Sequence, residues 1–99
     1  MPYEIEFSED VKTQLRHLTA RSRSILLTAI ETQLLHEPLI ETRNRKQLRP
    51  NPLAPWELRV GDLRVFYRVA EEGVKRVYIL AVGEKRGNSL WIGGEEVKL

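Results

Sequence analysis

The stretch Trp56-Glu-Leu-Arg-Val-Gly-Asp-Leu-Arg-Val-Phe-Tyr-Arg-Val69 predicts a β-hairpin, and the rest of the chain is arranged around it. Branched and aromatic residues favour strands on both sides of Gly61-Asp62, and a two-residue loop that begins with glycine is typical of a type II′ turn. Such a loop fixes the register, so Arg59 faces Arg64 across the hairpin. We therefore expect both arginines on one face of the sheet and the aliphatic residues between them on the core face.

The face that carries these two arginines is the candidate functional surface. Opposed like charges on neighbouring strands destabilise the pair by roughly 0.2 to 1 kcal/mol. A phosphate bound between Arg59 and Arg64 would offset this repulsion. Glu57 and Arg68 share this face, and the alternative is a surface ion-pair ladder of little energetic value. Phe66, also on this face, either stacks on a base or is covered by the C-terminal tail.

The segments before the hairpin predict one strand and two helices. Tyr3 to Phe7 alternates apolar and acidic residues, which indicates a half-buried strand whose pairing partner the spacing does not reveal. Apolar residues at helical spacing then define two amphipathic helices: Val11, Leu15 and Leu18 in the first, and Leu26, Leu27, Ile30 and Leu34 in the second. Ser8 offers a capping hydroxyl to the first helix, and Pro38 requires the second to end before it.

The segments after the second helix complete one domain over residues 1–99. Residues 41–55 contain three prolines and predict a connecting loop, whereas Lys75 to Val82 predicts a third strand. Leu90-Trp91-Ile92 is compatible with a further short strand. The order predicts an α+β fold: an N-terminal strand, an antiparallel helix hairpin and a three-stranded antiparallel meander form one sheet with the helices on one face. The other face would then be free for function.

Composition narrows the function classes. The 99 residues include no cysteine, which excludes disulfides and thiolate chemistry, and no apolar run approaches a membrane span, so we expect a soluble chain in the cytoplasm. His17 and His36 have no partners at ligand spacing, so neither a metal nor another cofactor is predicted.

The net charge is only +2, but residues 42–68 hold seven basic and two acidic side chains. Such a concentration of cations favours a polyanionic partner, with a solvated basic surface as the alternative.

Two further basic segments could extend the candidate surface. Lys85 and Arg86 follow the third strand after a glycine and can approach the face of Arg59 and Arg64. Trp91 is either a stacking group or a lid on the core. The basic front half of the proline-containing loop supplies four more candidate nucleic-acid contacts, Arg43, Arg45, Lys46 and Arg49.

The hairpin pattern Leu-Arg-x-Gly-x-x-Arg-Val-x-Tyr, followed after the next strand by Gly83 and a basic pair, resembles the RelE/ParE superfamily of bacterial toxins from type II toxin-antitoxin modules. RelE-like members cleave messenger RNA on the ribosome without metal, by attack of a 2′-hydroxyl on the adjacent phosphate. The resemblance implies that Arg64 holds the scissile phosphate and that Lys85, with Arg86, acts on the phosphate or the leaving oxygen. Trp91 occupies the position where such members often carry a tyrosine.

The resemblance favours the ribonuclease function, because the basic residues extend beyond the hairpin to Lys85-Arg86 and to the loop from Arg43 to Arg49, and it leaves two alternatives open. In the ribonuclease hypothesis the catalytic residues are Arg59, Arg64, Lys85, Arg86 and Trp91. The RNA contacts are the four loop cations together with Phe66 and Arg68. Against it, Glu57 and Arg59 stand where active ribonucleases commonly carry lysines. ParE-like members instead inhibit DNA gyrase and cut no nucleic acid, which is the second hypothesis. The third hypothesis is a relative that no longer cleaves RNA.

Both toxin readings imply a cognate antitoxin, which would also provide indirect contact with operator DNA. The ribonuclease reading adds the ribosome and messenger RNA as partners, and no reading involves a membrane.

Overall fold

The computed structural model describes residues 2–98 and confirms the predicted α+β fold. An N-terminal strand and two helices precede a series of antiparallel strands that all belong to one sheet. The elements are β1 (Glu4–Phe7), α1 (Glu9–Arg16), α2 (Ala20–Leu34), β2 (Arg45–Gln47), β3 (Trp56–Val60), β4 (Leu63–Ala70), β5 (Arg76–Arg86), β6 (Ser89–Ile92) and β7 (Glu95–Val97). Within the described residues, neither helix combines the length and the apolar character needed to cross a membrane.

The central hairpin has the predicted register. Arg59 lies opposite Arg64, and Val60 opposite Leu63. Gly61 has φ +59°, whereas Asp62 has no positive φ, as a type II′ turn requires. The turn therefore sets which side chains share a face along the whole hairpin.

The sheet is larger than the predicted meander. Its strands are ordered β2-β3-β4-β5-β6-β7, and β1 pairs in parallel with the first half of β5. The prediction of an unstructured loop over residues 41–55 is wrong at β2, which adds to β3 with Lys46 opposite Glu57. The short strand predicted around Trp91 is confirmed as β6, and β7 extends the sheet further.

The helices pack on one face of the sheet and form the main core. Val11 of α1 and the α2 residues Leu26, Ile30 and Leu34 are buried against the sheet. Leu27 is wrongly predicted to join them, because it lies one position off this stripe and is 37% exposed. Ser8 also departs from expectation: its hydroxyl donates to the Leu80 carbonyl at 3.3 Å and makes no cap hydrogen bond to α1.

We call the face of the sheet opposite the helices the outer face. It is not free as predicted, because a second core covers part of it. Phe66 is fully buried there against residues of the C-terminal strands and the proline-containing loop: Ala54, Ala81, Leu90 and Ile92. Asn51 stabilises that loop, since its side chain donates to the Arg49 and Ala54 carbonyls and accepts from two backbone amides. The second core therefore occupies the part of the outer face around Phe66.

Candidate functional site

Cations from four strands surround one carboxylate on the outer face, beside the Gly61-Asp62 turn. We call this set the basic cluster; it consists of Lys46, Glu57, Arg59, Arg64 and Lys85. Its members are brought together by strand pairing, which places Lys46 opposite Glu57 and Arg59 opposite Arg64. Side chains that are opposite on neighbouring strands project from the same face.

Glu57 lies at the centre of the basic cluster and partly neutralises it. Its Oε1 accepts a hydrogen bond from Arg59 Nε at 2.7 Å, and its Oε2 lies 4.0 Å from Arg64 Nε. The Glu57 side chain is only 9% exposed, whereas that of Arg59 is 51% exposed. The carboxylate is therefore held between Arg59, which still faces solvent, and Arg64, whose side chain is only 12% exposed.

Arg64 is fixed by the turn that precedes its strand. Its Nη1 donates to the Gly61 carbonyl at 2.7 Å and to the Leu63 carbonyl at 2.9 Å. Within residues 2–98, its Nη2 has no hydrogen-bond partner in the protein, so it retains donors for an anion. The contacts with the turn hold the guanidinium in one orientation, which favours a specific anion contact over a diffuse one.

Lys85 reaches the same region from β5. Its backbone amide donates to the Asp62 carbonyl at 2.7 Å, which fastens the end of β5 to the turn. Lys85 and Glu57 line one groove of about 360 Å³, closed on its other side by residues of β6 and β7. The groove is wide enough for part of a nucleotide, and its lining includes two lysines, Lys85 and Lys98, and two glutamates, Glu57 and Glu96.

Comparison with known proteins identifies the family. The family model described as the ParE toxin of the type II toxin-antitoxin system parDE matches residues 5–88. The chain belongs to this toxin family. Among solved structures, the ParE-family toxin is similar to a chain of the toxin-antitoxin complex RelBE2 from Mycobacterium tuberculosis, at 28% identity and a TM-score of 0.73. The match covers 86% of this toxin and 100% of that chain. No curated protein sequence matches it.

The sheet of the ParE-family toxin divides the predicted catalytic residues between two faces. Arg59, Arg64 and Lys85 are in the basic cluster, but Arg86 follows Lys85 on the strand and therefore projects from the opposite face. There its guanidinium lies 5.4 Å from the centre of the Trp91 ring, and its Nη2 pairs with Glu84 at 3.1 Å. Both residues line a small cavity of about 70 Å³ beside His17 of α1. Arg86 and Trp91 are thus placed apart from the basic cluster.

Two predicted RNA contacts of the toxin are buried, so those predictions are wrong as surface contacts. Phe66 is covered by the second core and has no ring face for a base, so of its two predicted alternatives the structure has the one in which the C-terminal strands cover it. Arg45 is only 8% exposed, and its guanidinium donates to the Gln33 and Ile40 carbonyls at 2.7 and 2.9 Å. It thereby satisfies carbonyls at and beyond the end of α2, where a cation is also favourable to the helix dipole.

The remaining predicted contacts of the toxin are exposed or half-buried but scattered. Lys46 belongs to the basic cluster, and Arg43 and Arg49 are exposed on either side of β2. Arg68 lies further along the outer face, with its guanidinium 4.0 Å from the centre of the Tyr78 ring. No three His, Asp or Glu side chains within residues 2–98 converge at metal-binding distance. The chemistry available at the basic cluster is that of guanidinium, ammonium and carboxylate groups.

Proposed function

We propose that this ParE-family toxin cleaves messenger RNA on the ribosome and that a cognate antitoxin holds it inactive. The observation that carries the proposal is the position of Glu57, a buried carboxylate between two arginines at the wall of a groove that Lys85 also lines. Such a set provides a proton acceptor, phosphate-binding donors and a proton donor.

In the proposed reaction, Glu57 removes the proton from a ribose 2′-hydroxyl. The 2′-oxygen attacks the adjacent phosphorus, and Arg64 and Arg59 donate hydrogen bonds to the phosphate oxygens as negative charge develops. The bond from phosphorus to the 5′-oxygen of the next nucleotide breaks, and Lys85 protonates that oxygen. The products are a 2′,3′-cyclic phosphate and a free 5′-hydroxyl, so atoms and charge balance without any other reactant.

The antitoxin partner is supported by the comparison with RelBE2. That structure is a complex of a toxin with its antitoxin, and this chain covers all of the similar chain. The basic cluster is a surface that an antitoxin needs to cover or neutralise, since it is open to solvent at Arg59. The proposal places the pair in the cytoplasm, where ribosomes and messenger RNA are found.

A second function, inhibition of DNA gyrase, is favoured by the family match and by the ion pair that Arg59 already makes with Glu57. The matching family model is that of the ParE toxin. Glu57 already pairs with Arg59 at 2.7 Å, which reduces the positive charge offered to RNA. In this case the basic cluster would be a protein-binding surface and no phosphodiester bond would break.

Controlled expression separates the two functions. If the toxin is a ribonuclease, its expression should arrest translation within minutes and produce new messenger RNA fragments that end in a 2′,3′-cyclic phosphate. Sequencing of the fragment ends maps these cuts. Arg64→Ala should lower cleavage by about 10² to 10³-fold, the usual effect of losing one transition-state donor. Lys12→Ala, an exposed charge change on α1, is the matched control. Intact messenger RNA with DNA damage and filamentous cells would instead establish gyrase inhibition.

A further inference from the structure

The strand β7 forms one end of the sheet, and its outer edge is unpaired. Within residues 2–98, no strand pairs with β7 except β6. The two strands are joined by the two-residue turn Gly93-Gly94, in which both residues have a positive φ, as in a type I′ hairpin. The first pair after such a turn is hydrogen-bonded and the pairs then alternate, so the backbone groups of Glu95 and Val97 face β6. Those of Glu96 and Lys98 therefore face outward and can pair with another strand.

The side chains of this edge differ between the two faces of the sheet. Val97 lies opposite Leu90 and packs against the second core on the outer face. Glu96 and Lys98 project from the other face, because consecutive strand residues alternate. Both are exposed, and neither makes an ion pair within the part of the chain that the structure describes. The Ser89 hydroxyl donates to Glu96 Oε2 at 2.8 Å, so Oε1 can still accept from a partner.

The edge of β7 is complementary to a second copy of itself. Two copies can pair antiparallel about a two-fold axis at Val97, so that Glu96 of each copy lies opposite Lys98 of the other. The outward backbone groups of these residues then exchange hydrogen bonds on both sides of the axis. Opposite charges at facing positions of neighbouring strands stabilise the pairing, and the two Val97 side chains meet and extend the second core across the interface.

The order of the charges along the edge selects this register. A two-fold axis one residue earlier or later would place two Glu96 or two Lys98 side chains opposite each other, and like charges on neighbouring strands are destabilising. Charges on an edge strand commonly prevent pairing, whereas the two signs here have the spacing that pairing with a second copy needs. The family model matches residues 5–88, so β6 and β7 lie outside the match and this edge is a feature of the present chain.

From the open edge, the apolar contact and the paired charges we infer that the toxin self-associates through β7 into a two-fold dimer with one continuous sheet. The contact is small, because β7 has three residues, so the association is weak and depends on concentration. Val97 of both copies lies on the outer face, so the two basic clusters face the same side. Five strand spacings separate β5 of one copy from β5 of the other, about 24 Å. The dimer therefore presents two sets of cations to one polyanion, which raises the effective affinity.

Sedimentation velocity of the purified toxin at a series of protein concentrations tests the association. The wild-type toxin should change from monomer to dimer as the concentration rises. Glu96→Lys and Lys98→Glu each place like charges opposite one another on both sides of the axis and should weaken self-association about tenfold or more. Glu72→Lys, an exposed charge change in the turn between β4 and β5, is the matched control and should leave the association unchanged. Circular dichroism checks that all variants fold.

Exchange of the two charges distinguishes a direct contact from an effect of net charge. A mixture of the Glu96→Lys and Lys98→Glu variants should form heterodimers, because every lysine then faces a glutamate again, and the double variant should associate like the wild-type toxin. A wild-type toxin that stays monomeric at every concentration would overturn the inference, and so would single variants that associate normally or a mixture that does not associate. These measurements involve no RNA, so their failure would leave the proposed function to its own test.

Discussion

Replacing Glu57 by glutamine separates RNA binding from RNA cleavage. In the wild-type protein Arg59 Nε donates a hydrogen bond to the Glu57 carboxylate at 2.7 Å. Glutamine has the same shape as glutamate and keeps an oxygen that can accept this hydrogen bond. It removes the negative charge beside Arg59 and Arg64 and the capacity to accept a proton. Glu57→Gln should therefore bind RNA more tightly and cleave it more slowly.

The size of each effect follows from the contacts of Glu57. Hydrogen bonds to charged groups contribute about 1.5 to 3 kcal/mol and neutral ones about 0.5 to 1.5 kcal/mol. The difference is reduced by the solvent exposure of Arg59, so we expect a loss of about 1 kcal/mol of unfolding free energy. One additional cation becomes available for a phosphate, which should steepen the dependence of log Kd on log salt by about 0.7 for single-stranded RNA. Loss of the general base should lower the cleavage rate by about 10² to 10⁴-fold.

The assay combines two measurements on the same protein preparation. Single-turnover cleavage of ribosome-bound messenger RNA gives the rate, and fluorescence anisotropy with labelled RNA over a range of salt concentrations gives the slope. Glu72→Gln, which removes an exposed carboxylate from the turn between β4 and β5, is the control for the change in net charge. Cleavage by Glu57→Gln at the wild-type rate would refute the role of Glu57 as base, and an unchanged salt slope would refute its role in neutralising the arginines.

Three further predictions concern the elements that hold the site. Arg45→Lys should lower the unfolding free energy in urea by about 1 to 3 kcal/mol, because one ammonium nitrogen replaces the two guanidinium nitrogens that donate separately to the Gln33 and Ile40 carbonyls. RNA binding should stay at the wild-type level. Burial raises the pKa of the Tyr67 hydroxyl above its ordinary value, so the unfolded chain loses this proton at a lower pH than the folded chain does. Stability should therefore fall as the pH rises above about 10. Tyr67→Phe should weaken this fall in denaturation curves measured across that pH range. Gly83→Ala should destabilise the fold by about 1 to 3 kcal/mol and displace β6, because the added methyl group meets the Trp91 carbonyl and Ile92; Gly87→Ala, in an open turn at φ +61°, should cost only about 1 kcal/mol.

The parts of the fold that follow from neighbouring residues could be predicted from the sequence. The Gly61-Asp62 turn fixes the register of β3 and β4 within a few residues, and the structure has that register. The parallel pairing of β1 with β5 joins residues about seventy positions apart, and no local pattern specifies it. Lys46 enters the basic cluster only because a three-residue strand pairs with β3, and a segment this short between prolines has no periodicity to detect.

The errors in the predicted site arise where tertiary packing decides exposure. Strand alternation correctly places Phe66 on the outer face, but the C-terminal strands and the proline-containing loop that bury it have weak signals in the sequence. Arg45 resembles its exposed neighbour Arg43 in sequence and differs only in lying near the end of α2, whose carbonyls it satisfies. Alternation alone separates Lys85 from Arg86, because consecutive strand residues project from opposite faces. Lys85 and Arg86 are therefore neighbours in the sequence that do not share a surface.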